Sequence, residues 1–197
     1  MKKSSKLDEI DQKILDFCLE KAPQDGWTEQ ILTKAKDEIG IENVIKHCPN
    51  GLRDVARIFA NWADHEMIEA LNALGIENLK IRERIYEGVK ARLTVLTPHK
   101  GAFKASMKFM LRPQNAFDLH KIGWQTADQL WWAAGDTSTD YNHYTKRILL
   151  SGVFAATTLF WLRDTSENHE KTWEFLQNRI DNVLKIGGAL NKLKKTA

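Results

Sequence analysis

The chain has 197 residues, 43% hydrophobic and 28% charged, with 29 Lys+Arg against 26 Asp+Glu and a net charge of +3. That is one domain's length, enough to bury roughly 70% of the surface the unfolded chain exposes. Four prolines and eleven glycines exclude collagen-like and low-complexity classes. The near-balance of charge lacks the basic excess of a dedicated nucleic-acid binder.

Helical periodicity dominates, and no period-two stretch of useful length appears. The first helix is expected from Leu7 to Ala22, with Ile10, Ile14, Phe17 and Cys18 on one face and Pro23 and Gly26 ending it. A second follows the cap candidate Thr28, and a short third holds Val44, Ile45 and Cys48 before Pro49-Asn-Gly51. A long helix then spans Leu52 to Leu74, and another Leu79 to Leu96 with a break at Pro98. Phe103 to Leu111, Gln114 to Ala134, Tyr141 to Arg163 and Glu167 to about Leu190 complete the set. The expected fold is all-α, with about nine helices and no repeat. Within the eighth helix, Ile148 to Leu162 has eleven apolar residues of fifteen and no charge. It is shorter than the ~20 residues a membrane span needs, so it reads as a core helix buried on every side.

Cys18 and Cys48 lie thirty positions apart outside any CxxC or Cys/His cluster, which predicts two buried thiols in a reducing compartment. The N-terminus has no apolar run, and Asp8, Glu9 and Asp11 come too early for a transit peptide. A cytoplasmic location follows as the expectation. Neither a phosphate-binding glycine loop nor a GxSxG elbow occurs. His65-Glu66 has no second histidine to complete HExxH, and no Glu-x-x-His exists for a di-iron bundle. The expectation is a non-enzyme without metal or cofactor.

Three short helices followed by a long one resemble the helix-turn-helix domain of TetR-type regulators. The charges point away from DNA. From Thr28 to Val55 four basic residues (Lys34, Lys36, Lys46, Arg53) face five acidic ones (Glu29, Asp37, Glu38, Glu42, Asp54), a net of −1. Duplex affinity comes largely from neutralised phosphates, so no nucleic-acid partner is expected. The reading divides the chain into helix-turn-helix-like residues 1–75 and a helical ligand-binding part, 76–197, packed as one unit.

The corner Trp131-Trp-Ala-Ala-Gly-Asp-Thr-Ser-Thr-Asp-Tyr-Asn-His-Tyr-Thr-Lys-Arg147 is the most informative stretch. Gly135 ends one helix, and the Asp/Thr/Ser cluster offers caps for the next. Tyr141, His143, Tyr144, Lys146 and Arg147 are left over by capping. They form either an interaction patch of aromatic and Arg anchors or side chains holding the eighth helix against its neighbours. The run from Ala134 to Arg147, the apolar helix, Asp164-Thr-Ser166 and Thr172 to Ile180 together resemble the coenzyme Q nine family, lipid-binding accessory proteins of ubiquinone biosynthesis. The match is strong from Gln114 to Leu184 and weaker back to Leu7.

That resemblance implies a TetR-like fold that has lost DNA binding and a C-terminal part that binds an isoprenoid quinone precursor or a phospholipid. It implies a di-iron quinone-ring hydroxylase as partner and a homodimer. Under it Met107, Met110, Trp131, Leu149, Val153, Phe154 and Phe160 are expected to line a lipid cavity. Asp136, Tyr141, His143, Tyr144, Lys146 and Arg147 are expected to meet the hydroxylase. Thr157 and Thr158 are polar points in the apolar wall, or bond the preceding turn. The family usually has Trp where this chain has His143, and eukaryotic members continue into a further amphipathic helix, which points to a bacterial member. After Asp181 the tail carries Lys185, Lys192, Lys194 and Lys195 beside a helical apolar stripe. It predicts weak, salt-sensitive membrane contact at the inner face of the bacterial membrane. The competing functions are a TetR-type regulator with a hydrophobic ligand and a plain helical scaffold.

Overall fold

The computed structural model describes residues 6–136 and 141–196, with side chains described at 6–136 and 143–183. Among these residues there are helices and no strand: α1 (Glu9–Asp25), α2 (Glu29–Ile39), α3 (Ile41–His47), α4 (Leu52–Leu74), α5 (Ile81–Leu96), α6 (Lys100–Met110), α7 (Ala116–Ala133), α8 (Tyr141–Arg163) and α9 (Glu170–Thr196). Short 3-10 turns at Ile76–Asn78, Thr97–His99, Pro113–Asn115 and Glu167–His169 lead into α5, α6, α7 and α9. The all-α reading holds, and boundaries move by a few residues. The first helix continues to Asp25 because Pro23 sits in its last turn, where it removes only one backbone donor. α9 runs through Gly187 and Gly188 to Thr196.

The first three helices pack together, with His47 Nδ1 of α3 2.9 Å from Asp11 Oδ1 of α1. The outward face of α3 shows Ile41, Glu42, Ile45 and Lys46, a single lysine among them. The Cys18 and Cys48 thiols are free and buried, and burial pushes both up to about 12. The helix α4 is the central element, packed against α1, α5, α6 and α7. Close approach of α5 and α7 depends on Gly88: a Cβ there would lie 2.6 Å from Leu130 Cδ2.

On α8 the structure corrects the expectation of burial on every side. Leu150, Val153, Thr157 and Trp161 are buried, whereas Ile148, Leu149, Leu159 and Phe160 are exposed. The helix packs mainly on α5, α7 and α9, so part of the uncharged run from Ile148 to Leu162 faces outward.

The end of α8 is hooked to the start of α9 by Asp164. Its Oδ1 accepts from the Ser166 amide at 2.8 Å and hydroxyl at 2.7 Å, and its Oδ2 from the Thr172 amide at 3.0 Å and hydroxyl at 2.5 Å. Burial alone would raise this carboxyl's pKa, but the four donors hold it well below the usual carboxylate range. A carboxylate lowered in the folded chain contributes stability above its unfolded pKa and loses it as pH falls. Asp164→Asn should therefore melt about 5 °C lower at neutral pH, from a loss of about 2 kcal/mol. In thermal melts against pH, its difference from the unmodified chain should shrink below about pH 4.

Candidate functional site

A cavity of about 300 Å³ lies between α4, α5, α6, α7 and α8. Its space comes from small residues on facing helices: Ala56, Ala60 and Ala63 on α4, Gly123 on α7 and Ala155 on α8. A Cβ built on Gly123 meets nothing within 4 Å. Phe59, Leu96, Phe103, Met107, Met110 and Phe154 supply most of the apolar wall. At the inner end are Ala63, Arg92 and Thr126, all buried; the outer end is lined by Leu111, His120 and Leu159, all exposed.

The charged residue in the wall is paired. Arg92 Nε donates to Asp64 Oδ1 at 2.7 Å, and the Thr126 hydroxyl lies 3.1 and 3.2 Å from the two Asp64 oxygens. Both partners of the pair are buried, and the Arg92 guanidinium also lies 5.0 Å from the Phe154 ring centre. Burial raises the Asp64 carboxyl above its ordinary pKa, opposed by the charge and bond of Arg92 and the bond of Thr126.

Of the expected lipid-lining residues, the structure brings Met107, Met110 and Phe154 to the cavity. Trp131, Leu149, Val153 and Phe160 are elsewhere. Val153 is in the core, and Trp131 sits at the α7–α8 corner, where its Nε1 donates to the Lys146 carbonyl at 3.0 Å. Leu149 is exposed, and Phe160 stacks on Phe175 of α9 with ring centres 4.5 Å apart. These four lie on the sides of α7 and α8 turned away from α4 and α6, a distinction that a uniformly apolar helix conceals. Sequence reasoning missed the alanines and Gly123 because small residues signal space only when the facing helix is known.

The corner expected to meet a partner is internally wired. Arg147 is 1% exposed; its Nε donates to Asp128 at 2.5 Å, and its Nη1 to Asp136 at 3.3 Å and the His143 carbonyl at 3.1 Å. Lys146 Nζ donates to Asp136 at 2.6 Å and lies 5.4 Å from the Trp131 ring centre. The expectation of Arg147 as an exposed anchor is corrected, because two α7-side carboxylates draw it inward. Tyr144 stays 59% exposed, 6.1 Å from Trp124 between ring centres, with His143 beside it. The cap candidates at 137–140, and the side chains of Tyr141, Lys185, Lys192, Lys194 and Lys195, lie outside the described residues.

At the outer end of the cavity, Leu111 (60% exposed) and Leu159 (51%) reach the surface. Phe117 of α7 and Ile148 of α8 are further exposed apolar side chains, at 78% and 63%. Exposed Lys104, Lys108, Arg112 and Lys121 lie on the same helices and turns, α6 to α7. No helix among the described residues is long and apolar enough to cross a membrane.

A family model described as COQ9 matches residues 118–187, which hold much of α7, all of α8 and the start of α9. The chain resembles the COQ9 family. The ubiquinone biosynthesis protein COQ9, mitochondrial, of Drosophila melanogaster is 30% identical over 189 residues, covering 93% of this chain and 58% of that protein. The protein of the same name from Rattus norvegicus is 28% identical over 199 residues, covering 96% and 63%. The chain thus spans about three fifths of the length of these COQ9 relatives. Among solved structures, a TetR transcriptional regulator from Nitrosomonas europaea superposes with a TM-score of 0.72 at 19% identity, covering 88% of this chain and 97% of that one. That likeness establishes the TetR-like fold.

The wiring of the corner separates its residues by experiment. Arg147→Ala leaves two carboxylates short of a buried cation and should cost about 3 kcal/mol, visible as a clearly lower melting temperature. Tyr144→Ala, at an exposed position, should stay within about 0.5 kcal/mol of the unmodified chain in the same melts.

Proposed function

We propose that this chain is a non-enzymatic, lipid-binding accessory protein of ubiquinone biosynthesis. It holds an isoprenoid quinone intermediate in the α4–α8 cavity and presents it to a di-iron quinone-ring hydroxylase. The observation that carries this reading is the cavity: about 300 Å³ of apolar space that ends among exposed apolar side chains. An apolar cavity of roughly 150 Å³ already takes up benzene. This one has room for a ring and a short length of chain, with the remaining chain passing the rim. Each CH₂ removed from water contributes about 0.8 kcal/mol, so a polyprenyl chain is drawn to such a surface. The wall favours binding over chemistry, since Arg92, Asp64 and Thr126 satisfy one another.

In this reading the rim of Leu111, Phe117 and Leu159, flanked by Lys104, Lys108, Arg112 and Lys121, rests on an anionic membrane from which the lipid enters. Attraction of about 1 kcal/mol per cation makes such contact reversible and salt-sensitive. The site for the hydroxylase is the exposed part of the corner, Tyr144 with His143. The proposed assembly is a homodimer, supported by the second apolar strip of Leu149, Phe160 and Phe175 on α8 and α9. A DNA-regulator role has less support, because the exposed face of α3 carries one lysine beside two isoleucines.

Gly123→Leu tests the cavity directly. The new side chain starts in open space and extends into the cavity, while replacing a helical glycine adds up to about 1 kcal/mol to the helix. Calorimetric titration with a short-chain isoprenoid quinone should show at least a tenfold loss of affinity in this variant, with an unchanged or higher melting temperature. Undiminished binding would place the ligand elsewhere.

A further inference from the structure

A second cleft, of about 490 Å³, opens where α8 gives way to α9. Ligand sites commonly enclose roughly 300–1,000 Å³. Phe160 and Arg163 of α8 line it on one side and Lys171 and Phe175 of α9 on the other, with Asp164 and Thr165 between them. Of its lining only Leu159 is shared with the α4–α8 cavity.

Sequence spacing orders these side chains. Phe160 and Arg163 are i,i+3 neighbours on α8, and Lys171 and Phe175 are i,i+4 neighbours on α9. Both cations therefore stand at the end next to the connection, and both rings about one turn, ~5.4 Å, farther along. The two rings stack with centres 4.5 Å apart and planes 12° from parallel. Phe160 remains 36% exposed, so a further flat group can continue the stack.

The cationic end has no acid of its own. Arg163 and Lys171 are exposed, and neither forms an ion pair among the described residues. Asp164, the acid in the lining, is buried, and both its oxygens take donors from Ser166 and Thr172. Exposed Glu167, Glu170 and Glu174 are near in sequence, yet none of them lines the cleft. A neutral lipid has no use for the two cations, and a bare inorganic anion has none for the two rings. Both are used by a molecule with a carboxylate at one end and a flat apolar body at the other.

We propose that this cleft binds a small aromatic carboxylate, its acid group between Arg163 and Lys171 and its ring on Phe160. The Thr165 hydroxyl stands at the cationic end as a further donor. The site differs in ligand class from the α4–α8 cavity, whose Arg92 is already paired with Asp64. Phe160 and Phe175 also belong to the strip offered above to a second copy, so ligand and second copy compete for them.

The test is titration of the full chain, followed by ligand-observed NMR, with cinnamate, neutral cinnamamide and inorganic phosphate. Cinnamate carries its carboxylate two carbons from the ring, which matches a separation of one helical turn. It should bind at least about tenfold more tightly than either other probe. Arg163→Gln and Lys171→Gln should each weaken cinnamate binding about three- to tenfold. Both positions are exposed, so the variants should keep the melting temperature of the unmodified chain and bind a short-chain isoprenoid quinone as it does. Equal affinity for cinnamate and cinnamamide, phosphate bound as tightly as cinnamate, or undiminished cinnamate binding in both variants would overturn the assignment. So would the absence of cinnamate binding to the unmodified chain, and none of these results bears on whether the α4–α8 cavity holds a lipid.

Discussion

Asp64 of α4 and Arg92 of α5 meet at 2.7 Å in a place that water does not reach, and Thr126 of α7 closes the group from the third side. Three helices are thereby held around one ion pair, of which Arg92 lines the cavity together with Thr126. Removing one member would leave a buried charge, at about 3–5 kcal/mol. The constraint has a second consequence. Because the pair is neutral as a unit, it sets α4, α5 and α7 in place without creating a strong field in the cavity. The space between the helices can therefore stay apolar although a charge lies in its wall.

The helices themselves were legible from periodicity and breakers: α8 begins at Tyr141 and ends at Arg163 as the pattern indicates. What each face meets was not. A run such as Ile148 to Leu162 is apolar all round, so no moment marks which side is core, cavity wall or surface. Hence Met107, Met110 and Phe154 lie at the cavity, while Val153 belongs to the core and Leu149 to the outside. Arg147 shows a different limit. Its partners, Asp128 and Asp136, are nineteen and eleven positions away, and a cation's burial depends on carboxylates that only the α7–α8 packing brings near. The two threonines show a third: Thr157 and Thr158 are neighbours in sequence and both buried, yet only Thr157 bonds the carbonyl four residues back.

The corner and the Asp164 hook tie the C-terminal helices to one another. Lys146 and Arg147 need Asp136 and Asp128, and Asp164 needs Ser166 and Thr172. These pairings fix α7 to α8 and α8 to α9, the same region that the COQ9 family model covers. The N-terminal helices share a TetR-like arrangement with the solved neighbour, and a shared fold does not carry a shared function. There α3 turns Ile41 and Ile45 outward beside a single lysine, Lys46.

The most direct measurement of the central claim is mass spectrometry of an organic extract from the purified full chain, with Gly123→Leu prepared in parallel. A lipid carrying an isoprenoid chain, near one per protein in the unmodified chain and depleted in the variant, is the expected result. An extract without such a lipid, or one equally loaded in both proteins, would contradict the account.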